Sequence, residues 1–183
     1  MTGRRGPGRA LVAASAAGVV VLALVAVLAT RHAAPGTSVP SNLGGKPAPP
    51  AAGRDLLTGR RVSLAEYRGR FVLVDFFASW CAPCQAEAPA LETLAFRDRR
   101  ELAVFGVAVK DSAANARAFL ERTGATWPAV ADPGESIALA YGVADPPQSF
   151  LVAPDGVVVG QILGQVSVAA VDRLIAAARR AGA

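Results

Sequence analysis

Apolar positions along the 183 residues fall into three patterns, and each predicts a different kind of element. The first is one long run: residues 10–30 carry no charge over 21 positions. At about 1.5 Å of rise per residue, a helix of that length matches the roughly 30 Å of a hydrocarbon layer. The second pattern is the short continuous run of β-formers. Phe71–Phe77 (FVLVDFF) and Leu102–Val109 (LAVFGVAV) read as strands buried on both faces, the former interrupted by one acid. Residues 127–131, 149–153 and 157–163 predict three more strands, the last two joined by a turn at Pro154-Asp155-Gly156. The third pattern is recurrence every three or four positions. It predicts a helix over residues 82–100, with Ala86, Ala90, Leu91 and Leu94 inward and a kink at Pro89. Further helices are predicted over residues 112–122, ended by Gly124, over 135–141, and over Val168–Arg180 with Ser167 as cap. Ahead of the first strong strand, Asp55-Leu56-Leu57 and Arg61-Val62-Ser63 flank a hairpin signal at Thr58-Gly59-Arg60, and Leu64–Tyr67 fits one helical turn. Strand and helix alternate, so the expected class is α/β with a parallel or mixed sheet and an antiparallel end.

Composition divides the chain further. Residues 31–50 are Pro, Gly, Ser and Ala with almost no large apolar side chains, as in a flexible spacer with no core to join. The expected organisation is a basic cytoplasmic segment (1–9), an apolar helix (10–30), a linker (31–50) and one globular domain (51–183). Arg4, Arg5 and Arg9 precede the apolar run, whereas only Arg31 and Lys46 follow it nearby. The positive-inside bias then puts the amino terminus in the cytoplasm and the domain outside. The run reads either as a retained single-pass anchor or as a signal sequence cleaved near Val27-Leu28-Ala29. The formal charge of +5 owes four arginines to the first 31 residues; from Ala34 onward 15 basic residues face 14 acidic ones. That near balance removes the electrostatic basis for a nucleic-acid partner.

The chemistry is bounded by two cysteines and one histidine. A structural zinc site takes four ligands of Cys/His type, and Cys81, Cys84 and a distant His32 do not supply them. No histidine follows His32, so a Cys-His or Ser-His-Asp hydrolase has no base in the domain. What remains is Cys81-Ala82-Pro83-Cys84, placed where a buried strand ends and a helix begins. Unpaired amides and the helix dipole favour an anion there, which lowers the pKa of a thiol at Cys81 and makes it the attacking sulfur, reachable from solvent. Cys84, one turn on and pointing inward, is close enough to bond Cys81 and to resolve a mixed disulfide. A static staple is the plainer use of such a pair, but a two-residue loop confers little chain-entropy stabilisation. Two acids accompany the pair. Glu87 lies three residues beyond Cys84 on the same helical face, and Asp75 sits mid-strand, where desolvation raises its pKa and suits it to accept and return the Cys84 proton.

The segment VLVDFFASWCAPC (Val72 to Cys84) resembles the active-site strand and turn of the thioredoxin superfamily. More narrowly, Gly53 onward is similar to the membrane-tethered TlpA/ResA/CcmG (DsbE)-type thiol-disulfide oxidoreductases, with the leading GRDLLTGRRVSLAEYRGR, the WCxxC and Gln85-Ala86-Glu87-Ala88-Pro89. The resemblance implies a thioredoxin fold: a central mixed sheet flanked by helices, with an N-terminal β-hairpin extension and a central strand-helix insertion between Lys110 and Asp145. It implies an extracytoplasmic enzyme that reduces substrate protein disulfides such as those of apocytochrome c, recharged by a transmembrane electron donor of the CcdA/DsbD type, with no cofactor. It also implies that Pro147, preceded by Pro146, is the cis-proline that faces the disulfide and pairs with substrate backbone, that Trp80 packs beside the disulfide and touches substrate, and that Glu87 tunes the thiols. Two positions depart from the pattern: Asp145 stands where Gly is usual, and Asp75 matches thioredoxin itself, whereas TlpA-type chains often carry Asn. Other readings are an oxidant of the DsbE/DsbF kind, a copper-delivery module using Cys81 and Cys84, and a peroxidase related to peroxiredoxins, whose Pro-x-x-x-Thr/Ser-x-x-Cys motif is absent before Cys81.

Overall fold

The computed structural model describes residues 7–31, 36–97 and 101–182. The chain separates into two compact units, residues 1–34 and 35–183. In the first, helix α1 (Pro7–Arg31) contains the expected anchor, with side chains described only for residues 14–26. Among the described residues no helix is long and apolar enough to cross a membrane. The side chains at both ends of the expected span, and the basic residues Arg4 and Arg5, lie outside the described residues.

The second unit is built on β4 (Phe71–Phe77), and its seven residues are all buried. Alternation along the pleat sends Phe71, Leu73 and Phe77 into one core layer and Val72, Val74 and Phe76 into another. Parallel pairing adds β5 (Leu102–Val109) and then β6 (Ala129–Asp132) on one side. Antiparallel pairing adds β7 (Gln148–Val152), β8 (Val158–Leu163) and β1 (Thr37–Val39) on the other, giving the order β1-β8-β7-β4-β5-β6. Helix α2 (Ala82–Ala95) follows β4. Helix α3 (Ala113–Thr123), β6 and α4 (Ser136–Tyr141) lie between β5 and β7, and α5 (Val168–Arg180) closes the chain. The leading hairpin forms as β2 (Ala52–Arg54) and β3 (Arg61–Ser63), followed by a 3₁₀ turn at Leu64–Tyr67. Capping agrees with the sequence reading. Ser112 and Ser167 accept from the amides of Asn115 and Ala170, and Gly124 ends α3 in the left-handed region at φ 71°.

Three expectations fail for physical reasons. Residues 36–50 are no free spacer: β1 extends the sheet edge, Val158 N–H donates to the Lys46 carbonyl, and the Tyr141 hydroxyl donates to the Pro49 carbonyl at 2.9 Å. Backbone groups, which composition does not reveal, hold this segment. Helix α2 ends at Ala95, and Arg99 and Arg100 lie outside the described residues. Its buried stripe is Cys84, Glu87, Ala88, Leu91, Leu94 and Ala95, with Ala86 exposed, because the phase is set by Cys84 and carries a carboxyl into the apolar face.

Candidate active site

Strand β4 delivers Ala78, Ser79 and Trp80 to Cys81, which is the N-cap of α2 in an extended conformation. The Cys84 amide donates to Cys81 Sγ at 3.2 Å, and Pro83 in the first turn costs no helical hydrogen bond, since that amide would be unpaired anyway. Cys81 and Cys84 are joined as a disulfide with their Cα atoms 5.3 Å apart. An amide aimed at this sulfur favours a thiolate once the bond is reduced.

The expectation that Cys81 is open to solvent is not met. Cys81 is 3% exposed and Cys84 1%, and both belong to the core layer that includes Leu91 and Leu94. As an N-cap, Cys81 folds its sulfur back over the first helical turn instead of projecting it outward. Trp80, by contrast, is 57% exposed, and Ala82 and Pro83 are exposed with it, so the motif meets solvent through these three residues and not through its sulfurs.

The Pro146-Pro147 peptide bond is cis. Gln148 lies opposite Phe76 in the β4–β7 register, which sets Pro147 beside the end of β4 that leads into Cys81. The Pro147 carbonyl accepts from Gly164 N–H at 3.0 Å. Two residues further on, Val166 N–H donates to Glu87 Oε2 at 2.6 Å. The loop after β8 thus ties the cis-proline segment to the helix that carries the cysteines.

Two carboxyls are buried in this region. Asp75 has the same parity along β4 as Leu73 and Phe77 and so points into the layer that holds Cys84. Its Oδ1 accepts from the Ser149 hydroxyl at 2.8 Å, and its Oδ2 has no hydrogen-bond partner among the described residues. Glu87 Oε1 is likewise without one. Burial pushes the Asp75 carboxyl well above the ordinary carboxylate range against the smaller, lowering effect of the Ser149 bond. Glu87 is pushed up as well, first by burial and second by the Asp75 charge, against the lowering effect of the Val166 bond. The two acids therefore feel one another behind the disulfide, and neither is held as a plain carboxylate.

Sequence reasoning placed Cys81, Cys84, Asp75, Glu87, Trp80, Pro146 and Pro147, and the structure gathers them at the carboxyl end of β4 and the amino end of α2. It missed four participants: Ser149 on Asp75, Val166 on Glu87, and the adjacent Lys110 and Asp111. Trp80 Nε1 donates to the Lys110 carbonyl at 3.0 Å, and Ser79 N–H donates to Asp111 Oδ2 at 2.6 Å. Only the rarity of lysine, two residues against 17 arginines, singled out Lys110 in the sequence.

Comparison with known proteins agrees with this geometry. The AhpC/TSA family matches residues 44–161. Thiol-disulfide oxidoreductase ResA of Geobacillus thermodenitrificans is 34% identical over 112 residues, which is 61% of this chain and 64% of that protein. Thiol:disulfide interchange protein HelX of Rhodobacter capsulatus is 35% identical over 132 residues, covering 71% of this chain and 73% of that one. The chain thus spans roughly two thirds of the length of the curated relatives it matches. Among solved structures, a putative thiol:disulfide interchange protein DsbE from Chlorobium tepidum superimposes with a TM-score of 0.67 at 28% identity, over 74% of this chain and 96% of that one. The chain belongs to the AhpC/TSA family of thioredoxin-like proteins, among its thiol-disulfide oxidoreductases.

Proposed function

We propose that this protein is an extracytoplasmic thiol-disulfide oxidoreductase that reduces disulfides of substrate proteins, apocytochrome c among them, through Cys81 and Cys84. The observation that carries the reading is the Cys81-Cys84 disulfide capping α2 at the end of the sheet where the cis Pro146-Pro147 bond lies. In the reduced protein, the Cys81 thiolate attacks one sulfur of a substrate disulfide. A mixed S–S bond forms, the substrate bond breaks, and one substrate thiolate leaves and takes a proton from water. Cys84 then passes its proton to the buried pair of Asp75 and Glu87, and its thiolate attacks Cys81 Sγ. The mixed disulfide breaks, the second substrate thiolate departs with the proton held by the acids, and two electrons have passed to the substrate. Because Cys81 is 3% exposed, the substrate disulfide reaches it only after a small local opening at Trp80 or at the Pro146-Pro147 segment.

The product state is the oxidised pair found here, so turnover requires an outside reductant, and a transmembrane donor of the CcdA/DsbD type fits an extracytoplasmic domain. Placement outside the cytoplasm is supported by Arg4, Arg5 and Arg9 ahead of the uncharged residues 10–30, whether that segment is retained as an anchor or removed as a signal. Reduction is preferred over oxidation from the resemblance to ResA- and HelX-like proteins, and the reverse direction uses the same steps backward.

The test has two parts. Cys84→Ser in the full chain should accumulate a mixed disulfide through Cys81 that dithiothreitol releases. No adduct, together with no electron transfer from reduced wild type to a model disulfide, overturns the reading. The reduction potential of the couple assigns direction: a value near about −270 mV supports the reductant, and one near about −120 mV the oxidant.

A further inference from the structure

Lys110 directly follows β5 with φ at 50°, in the left-handed region that a non-glycine residue occupies only where its surroundings hold it there. What holds it is visible at both ends of the residue. Its carbonyl accepts from Trp80 Nε1 at 3.0 Å. Its Nζ donates to the Ala144 carbonyl at 2.6 Å and to Asp145 Oδ1 at 2.7 Å. The next residue, Asp111, accepts from Ser79 N–H at 2.6 Å through Oδ2 and from Ser112 N–H at 2.8 Å through Oδ1. Lys110 and Asp111 therefore grip two separate segments. One is Ser79-Trp80, which leads into Cys81, and the other is Ala144-Asp145, which leads into the cis Pro146-Pro147 bond. Ala144 and Asp145 lie between α4 and β7, so the lysine side chain ties the end of β5 to the segment that leads into β7.

We infer that Lys110 is a positioning residue that fixes the spacing between the Trp80 lip and the Ala144-Pro147 lip, and so sets how an extended protein substrate docks over the disulfide. The inference rests on the reading of the protein as a thiol-disulfide oxidoreductase and deepens it by naming what shapes its substrate cleft. Two features point to docking over bulk stability. The Lys110–Asp145 pair is solvent-facing, with side chains 37% and 77% exposed, and ion pairs in such positions contribute little to folding. The choice of residue is also specific. In a chain with 17 arginines and two lysines, this position carries the compact ammonium, which reaches a carbonyl and a carboxylate at once, where a planar guanidinium would impose its own fork geometry.

The test uses full-length wild type, Lys110→Met and Lys110→Gly, each reduced and then reacted with insulin or with a small aromatic disulfide. Lys110→Met should raise the half-saturating insulin concentration about 5- to 20-fold, change the limiting rate less than about twofold, and leave the small-disulfide reaction within about twofold of wild type. The indole N–H of Trp80, resolved from that of Trp127 by NMR, should exchange with solvent faster in Lys110→Met. Glycine accepts the left-handed backbone without the side chain, so Lys110→Gly should keep the indole protected yet lose insulin affinity to a similar degree. An unchanged half-saturating concentration, or equal loss toward insulin and the small disulfide, overturns the inference. If wild type passes electrons to neither substrate, the oxidoreductase reading itself fails. The clamp is then judged by the indole alone, and unchanged protection in Lys110→Met overturns it.

Discussion

Replacing Asp75 by Asn isolates the cost of holding a carboxyl behind the disulfide. The side chain is 1% exposed, with one hydrogen bond, from Ser149, and burial pushes it from 3.8 up to about 7. Because the folded-state value lies above the unfolded one, the native protein keeps a proton that the unfolded chain gives up. Below pH about 4 both states are protonated and the contribution to stability is complete; it falls as pH rises toward 7 and stays lost above that. At about 1.4 kcal/mol per pH unit, the loss reaches roughly 4 kcal/mol at pH 8. Asparagine has no proton to lose, but it leaves an amide N–H₂ where Oδ2 now lacks a partner, at a cost of about 1–3 kcal/mol. The variant should therefore be less stable than wild type by up to about 2 kcal/mol at pH 4.5 and more stable by about 1–3 kcal/mol at pH 8.5. Urea denaturation of both oxidised full-length proteins across that range reads the difference, and the two curves should cross. Parallel curves would show that Asp75 is not the buried titrating group described here. The same substitution should slow resolution of the mixed disulfide by at least about tenfold, since one of the two acids that take the Cys84 proton is gone.

Glu87 separates structure from charge. Glu87→Gln keeps an oxygen for the Val166 amide but leaves an amide N–H₂ where Oε1 lacks a partner, and should cost about 1–3 kcal/mol near pH 5, whereas Glu87→Ala strands the Val166 amide and opens a cavity, costing about 3–5 kcal/mol. Equal losses in the two variants, measured by urea midpoints, would count against the Val166 bond. Tyr141→Phe removes the hydroxyl that reaches the Pro49 carbonyl and should cost about 1 kcal/mol, with faster exchange of the Lys46 and Ala48 amides. Unchanged exchange there would mean that residues 36–50 behave as the loose spacer their composition suggests.

The sequence by itself determined the local elements and the position of the reactive pair. Strand β4 is legible because six β-forming residues, interrupted only by Asp75, leave no exposed face. The ends of α3 and α5 are legible because Ser112, Gly124 and Ser167 act on amides and carbonyls within a turn of themselves. The cysteines are legible because strand, turn and N-cap are contiguous in the chain. Only the tertiary structure decided what those groups face. Asp75 and Glu87 come within electrostatic reach through strand parity and helix phase, each of which a one-residue slip would reverse. Their partners Ser149 and Val166 lie 74 and 79 residues further along, and Lys110 meets Ala144 and Asp145 across 34 and 35 residues. The backbone bonds that draw residues 36–50 into the sheet, and the burial of Cys81 beneath its own helix cap, were equally hidden. Hydrogen bonds and desolvation act through space, so composition and periodicity carry no trace of pairings that depend on register.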